Sequence, residues 1–283
     1  MKHLYRKVVI AKPDLDTCLT ALIMGVNKSM PVRIAPAGAE DAELLDSRIL
    51  CIEAGGTGLI HLGNFDHHDP GKDCPPACRQ AFDLFRYPGY ELDRLVNYVC
   101  LVDQALPIIP QVPFPSLSSL FSGILLTVQD RETAFFKGIA MLDRVLKHCL
   151  SPFAPMPNYD DWQVYVRAKS KNLQILKTDL KSAKFMLSRQ GIKIGWLSSQ
   201  ATGGSAELYR QDCGVAVLHS LVQVHPLMSK YTIAGKGLKV SGLLYELSRL
   251  EKGWGGRSSI IGSPGHGSQL TTDQVMQVVI DGL

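Results

Sequence analysis

Short apolar runs alternate with helix-like segments along the first part of the chain. Lys7-Val8-Val9-Ile10-Ala11 reads as a buried strand. Pro13 turns the chain, and Thr17 opens a helix that Gly25 closes. Residues 33–35, 47–53 and 59–65 read as further strands; Gly55 and Gly56 stop the second of these, and Asp66 follows the third. Strands alternating with helices predict a parallel α/β sheet. Ligands of such sheets gather beyond the carboxyl ends of the strands. Asp14, Asp16, Glu53 and Asp66 all fall at predicted strand ends.

Farther on, residues 80–149 carry a mostly helical pattern. A Pro-rich connector, 151–158, then marks a boundary. Residues 160–190 contain neither Pro nor Gly, which predicts a long bridging helix over 159–190 with its N-cap near Asp160. After Gly191 the α/β pattern restarts, with strands expected at 192–197, 215–220 and 231–234 and helices at 238–251 and 272–280. The expected architecture is α/β: a parallel-sheet domain over 1–158, the bridging helix, and a smaller α/β domain over 191–283.

Composition narrows the class. The 283 residues are 46% hydrophobic and 20% charged, so the chain can bury a core and does not read as disordered. A net charge of +4 with no basic run permits an anionic ligand without demanding long nucleic acid. Seven cysteines, an odd number, read as reduced thiols, and the expected location is the cytoplasm. The start lacks the apolar region of a signal peptide, and the apolar stretch 117–128 is too short to span a membrane. That stretch could serve a homodimer as readily as a core.

The chemistry concentrates in Asn64-Phe65-Asp66-His67-His68-Asp69-Pro70. A carboxylate followed by two imidazoles offers oxygen and nitrogen donors together, a mix suited to Mn²⁺, Fe²⁺, Zn²⁺ or Co²⁺ rather than Ca²⁺. Alone, the triplet is equally readable as a polar turn, and Asp14-Leu15-Asp16 as a turn with a helix cap. Together with Glu53 they could converge on one rim. Paired divalent ions clamp the attacking and leaving oxygens of phosphoryl transfer.

This arrangement resembles the DHH phosphoesterase superfamily, named for the Asp-His-His triplet. The first family motif is matched by Val8-Val9-Ile10-Ala11-Lys12-Pro13-Asp14-Leu15-Asp16, the second by Cys51-Ile52-Glu53-Ala54-Gly55-Gly56, the third by Phe65-Asp66-His67-His68. For the fourth, Asp103 is preferred and Asp130 is second choice. The resemblance implies a metal-dependent phosphoesterase using Mn²⁺ or another divalent transition metal, one or two ions. Its ligands would be Asp14, Asp16, Glu53, Asp66, His67 and Asp103, with His67 and His68 in catalytic roles. The C-terminal part resembles the family's DHHA1-like substrate-binding domain. There Gly255, Gly256, Arg257 and His266 would bind phosphate, glycines through close backbone approach and Arg257 in bidentate fashion. The implied substrate is a small nucleotide, short single-stranded oligonucleotide or polyphosphate, held in a cleft between the domains.

Two departures touch the metal ligands. Ile10 and Ala11 stand where the family carries a His, and Glu53 stands in place of an Asp. They raise a second reading: a catalytically impaired nucleotide- or polyphosphate-binding protein that keeps the fold. A zinc site at Cys74 and Cys78, near His61, is a weaker alternative, because the x₃ spacing with two prolines is not that of a zinc knuckle. Cys100, Cys149 and Cys213 read as core residues. Tyr159, Trp162 and Tyr165 could stack bases but are expected to pack the two domains together.

Overall fold

The computed structural model describes residues 5–69, 71–85, 89–222 and 228–283. The chain divides into two compact units, Met1–Lys169 and Ser170–Leu283.

The first unit is built on a four-stranded parallel sheet of order β2-β1-β3-β4, with β1 at Lys7–Ile10, β2 at Val32–Ile34, β3 at Ile49–Ile52 and β4 at Asn64–Phe65. After Lys7, β1 is apolar at Val8, Val9 and Ile10 because both of its faces are covered there. Val8 and Ile10 enter the large core, while Val9 enters a smaller one with Ala35, Ile49, Cys51 and Ala54. Among the described residues the unit also holds α1 (Leu15–Ile23), α2 (Asp41–Leu44), α3 (Ala77–Phe85), α4 (Tyr90–Asp103), α5 (Leu117–Thr127) and α6 (Arg131–Lys147). α6 approaches α1 closely at Gly138, where a Cβ would sit 2.7 Å from Cys18 Sγ. The strand expected over 59–65 is largely a 3₁₀ turn, Ile60–Leu62, ahead of the two-residue β4. Gly63 breaks it: its φ is +81°, and a side chain there would meet Tyr5.

α7 (Gln163–Asp179) begins where the long helix was expected but stops well short of 190. Residues Lys184–Leu187 instead form β5, paired antiparallel with β6 (Lys193–Ser198). The turn between them overrides helix propensity, with Gly191 at φ +80° and Ser188 Oγ accepting from Ile192 N. Tyr159 and Trp162 pack edge-on within the core of the first unit, with the Arg144 guanidinium over both rings. Their packing is therefore internal to that unit, which extends past the expected boundary at 158 to Lys169.

The second unit holds a six-stranded sheet of order β5-β6-β7-β8-β10-β9. β7 is Val215–Val222, β8 Met228–Gly235, β9 Gly255–Arg257 and β10 Ile260–Gly262. Among the described strands of this sheet only β6 and β7 run parallel, joined through α8 (Gly204–Arg210). α9 (Leu244–Leu250) and α10 (Thr272–Gly282) cover an apolar core around Val217, Tyr231 and Ile233. No helix among the described residues is long and apolar enough to cross a membrane.

Candidate metal centre

The centre is assembled at the carboxyl ends of β1, β3 and β4, as parallel sheets favour. Asp14 caps α1, its Oδ1 accepting from Thr17 N at 2.9 Å. That start puts Asp16 in the first helical turn, 1% exposed. Both Asp16 oxygens accept backbone N–H groups from the start of α3, Ala77 at 2.8 Å and Cys78 at 2.7 Å. A carboxylate aimed at a helix N-terminus is favoured by the unpaired N–H groups there.

Glu53 follows β3 with φ +51°, a left-handed conformation costly for a residue with a side chain. Its Oε2 accepts from Thr17 Oγ1 at 2.5 Å. Its Oε1 is buried without a hydrogen-bond partner, as is Nε2 of His67. These two orphaned atoms lie 3.4 Å apart. His67 Nε2 is also 3.3 Å from Asp103 Oδ2, at the last residue of α4, and 3.9 Å from Asp16 Oδ2. His68 Nε2 stands 3.8 Å from Glu53 Oε1.

Two groups of potential ligand atoms result, each with its atoms within 4.8 Å of one another: Asp16, Glu53, His67 and Asp103, and Glu53, His67 and His68. Without a cation such a cluster is electrostatically frustrated. Burial, then Glu53, pushes the Asp16 carboxyl up to about 8. Burial also raises Glu53 and Asp103, with His67 opposing both shifts. The Glu53 carboxylate, against the effect of burial and with help from Asp103 and Asp16, raises the His67 imidazole to about 9. Three carboxylates and an imidazole, buried at Asp16 and Glu53, part-buried at His67 and Asp103, and without hydrogen-bond partners at Glu53 Oε1 and His67 Nε2, fit a divalent transition metal by donor type.

Asp66 and Asp14 stand outside both groups. Asp66 Oδ2 accepts from Gly55 N at 2.7 Å, and its Oδ1 from His68 N at 2.6 Å and Thr57 Oγ1 at 3.0 Å. Burial alone would raise its pKa, but the His68 ring and backbone and the Gly55 N–H hold it below the ordinary range. Asp66 therefore splices the loop after β3 to the loop after β4 and sets His68. The second oxygen of Asp14 is 3.1 Å from Lys12 Nζ. Of the two fourth-motif choices, Asp103 joins the cluster; Asp130 caps α6 through Thr133 N at 2.7 Å. Pro70, at the end of the His-containing segment, lies outside the described residues.

The sequence reading overlooked Thr17 and Lys12. Thr17, one residue after an acidic pair at a helix start, was a usable signal for a carboxylate-holding hydroxyl. Cys78 is sealed in the core, its Sγ 3.8 Å from Cys100 Sγ. Among the described residues neither Cys74 nor Cys78 joins a group of potential metal ligands. Cys149, expected in the core, is exposed where the chain leaves α6, with φ +50°.

In the second unit the expected Gly-rich loop is a hairpin. Gly255, Gly256 and Arg257 form β9, and all three are exposed. Gly256 has φ +148°, and a Cβ there would lie 2.3 Å from Ile260 O. His266 is exposed in the turn that follows β10.

No family model matches the sequence. No curated protein matches it either. Solved structures do. A pGpG-specific phosphodiesterase, PggH, from Vibrio cholerae aligns over 98% of this chain and 100% of its own, with TM-score 0.59 and 14% identity. The DHH domain of a protein described as belonging to a family of ribosomal proteins aligns over 97% of this chain and 85% of its own, with TM-score 0.57 and 12% identity. The chain shares the fold of these two structures, a parallel-sheet unit followed by a mixed-sheet unit.

Proposed function

We propose that the protein is a metal-dependent phosphoesterase that hydrolyses a phosphodiester or phosphoanhydride bond in a small nucleotide, short oligonucleotide or polyphosphate. The observation that carries this reading is the pair of buried atoms Glu53 Oε1 and His67 Nε2, which have no hydrogen-bond partner and face each other at 3.4 Å among Asp16 and Asp103. A buried polar atom without a partner costs about 1–3 kcal/mol. An arrangement that concentrates this cost at one point is built for something that binds there. The likeness to a phosphodiesterase fold supports the choice of reaction.

In this reading Asp16, Glu53, His67 and Asp103 hold the ion, Mn²⁺ or a similar divalent metal. Bound there, it supplies Lewis-acid polarisation of a phosphoryl oxygen and an acidified water. Thr17 fixes the Glu53 carboxylate through its hydroxyl, and the start of α3 fixes Asp16, so the donors are set before substrate arrives. His68, oriented by Asp66 and part-exposed, donates to a phosphate oxygen as charge develops. Gly255, Gly256, Arg257 and His266 are assigned to the distal phosphate or nucleotide end, the role proposed for the second unit.

The test is Mn²⁺-dependent release of product from pGpG, from other linear dinucleotides and from short polyphosphate, with Asp16→Asn as control. Metal-dependent turnover lost in the variant is expected. Metal binding with no turnover of any of these would favour the second reading, a nucleotide- or polyphosphate-binding protein. Ile10 and Ala11 favour that reading, since both are buried and apolar and neither offers a metal donor.

A further inference from the structure

Lys12 stands beside this centre and has no part in the ligand set. Pro13 fixes the backbone between it and Asp14, and its Nζ lies 3.1 Å from Asp14 Oδ2. The other Asp14 oxygen is taken by Thr17 N. Asp14 is thus a carboxylate at the rim of the cluster whose charge is already matched from within the chain. Burial works against the ammonium charge, but Asp14, then Glu53 and Asp103, outweigh it and keep the group charged. The field at Lys12 therefore belongs to the whole cluster, not to Asp14 alone. The side chain is 60% exposed, open to an incoming ligand.

Charge balance gives this cation a purpose. Asp14, Asp16, Glu53 and Asp103 put four carboxylates near one point. A single divalent ion leaves their sum negative, and a negative field repels a phosphate. The second possible donor group, Glu53, His67 and His68, shares Glu53 and His67 with the first, and His67 Nε2, the atom that faces Glu53, ligates one ion at a time, so the two groups compete for one imidazole. Ahead of Lys12, Ile10 and Ala11 offer no donor with which Asp14 could build another.

We propose that Lys12 is the built-in second cation of this site: the centre takes one divalent ion, and Lys12 Nζ neutralises Asp14 and donates to an oxygen of the bound phosphate group. A Lys ammonium suits this as a compact point charge on a flexible stem. The inference rests on the metal-dependent reading above and adds a stoichiometry and a phosphate-binding residue to it.

The experiment is calorimetry on metal-stripped protein, first with Mn²⁺ alone, then with inorganic phosphate added to the Mn²⁺-loaded form. The wild type is expected to bind one ion per chain. Lys12→Gln should still bind Mn²⁺ while its affinity for phosphate falls by at least about tenfold, and Lys12→Arg should keep most of it. Two ions per chain in the wild type would overturn the role of Lys12 and leave the metal-dependent reading standing. One ion with unchanged phosphate affinity in Lys12→Gln would overturn it as well. No ion at all would overturn both.

Discussion

The two places assigned to the proposed reaction could hardly differ more in physical character. The candidate metal centre is anchored in the interior: Asp16 and Glu53 are 1% and 2% exposed, and Glu53 Oε1 and His67 Nε2 have no hydrogen-bond partner. The β9–β10 hairpin is exposed along all of β9, and its Gly255, Gly256 and Arg257 are under no such strain. Burying polar groups without partners is costly, so function leaves a mark in the first region that folding alone would have erased. Exposed arginines and glycines cost nothing to keep and so carry no mark. A buried cluster can be argued from geometry, whereas a surface hairpin must be argued by experiment.

The largest effect expected is at Glu53. Glu53→Gln removes a ligand charge and should weaken Mn²⁺ binding by at least about 100-fold, more than loss of an outer hydrogen-bond partner costs. The same change should cost the metal-free protein little, because relief of the burial penalty on the carboxyl offsets the lost pairing with His67. It removes a buried carboxyl whose charged form burial disfavours, while Thr17 keeps an acceptor. Calorimetry and thermal melts of the two metal-free proteins check both halves. A clear drop in metal-free stability would mean that Glu53 is structural, and the contrast between the regions would collapse.

Asp66 comes next, and here stability is the readout. Its carboxylate accepts from Gly55, Thr57 and His68, so Asp66→Ala leaves buried donors unpaired and should cost about 2–4 kcal/mol in denaturant unfolding. Asp66→Asn, which can still accept, should cost less and should keep the Mn²⁺ stoichiometry. Loss of metal binding in a folded Asp66→Asn protein would place Asp66 among the ligands instead.

Much of the first unit was legible in its sequence, for physical reasons that also explain the failures. β1 declared itself because a strand is apolar where both of its faces are covered. The acids at 14, 16, 53 and 66 declared a site because they follow such strands. Whether each acid would be a ligand was hidden. Asp66 and Asp16 both accept backbone N–H groups, and only three-dimensional closure leaves Asp16 facing His67 while Asp66 is used up. Choosing Asp103 over Asp130 likewise needed the end of α4 to reach His67. In the second unit, β5 was taken as helix because its pairing with β6 is decided by a turn at Gly191, not by propensity. The hairpin at 255–262 was taken as a loop because strands of three residues are too short to show a period.

Acidity offers a smaller effect, at the metal centre. In the metal-free protein His67 titrates near 9 and Asp16 near 8, so both hold protons at neutral pH. A metal must displace them. Mn²⁺ affinity should therefore rise between pH 7 and pH 9, by up to about tenfold per pH unit for each proton released. Titrations in buffers of different ionisation enthalpy count the protons. Stability has the opposite sign: both groups have raised folded-state values, so the contribution of Asp16 is full below its ordinary 3.8 and is lost progressively up to about 8, and that of His67 is full below 6.5 and is lost progressively up to about 9. Bound Mn²⁺ should restore it.

The smallest effect belongs to the hairpin and decides whether it takes part at all. Arg257 makes no ion pair among the described residues, so Arg257→Ala should change stability by no more than about 0.5 kcal/mol. If its guanidinium holds the substrate's distal phosphate, KM should rise about three- to tenfold with kcat almost unchanged, the signature of binding lost equally from ground and transition states. Gly256→Ala is the sharper companion, since its Cβ would strike Ile260 O and the hairpin must shift. A raised KM in both variants would tie substrate binding to the hairpin's shape as well as its charge. An unchanged KM in both would take β9 out of the reaction and shift the claim on the phosphate to the buried centre and Lys12.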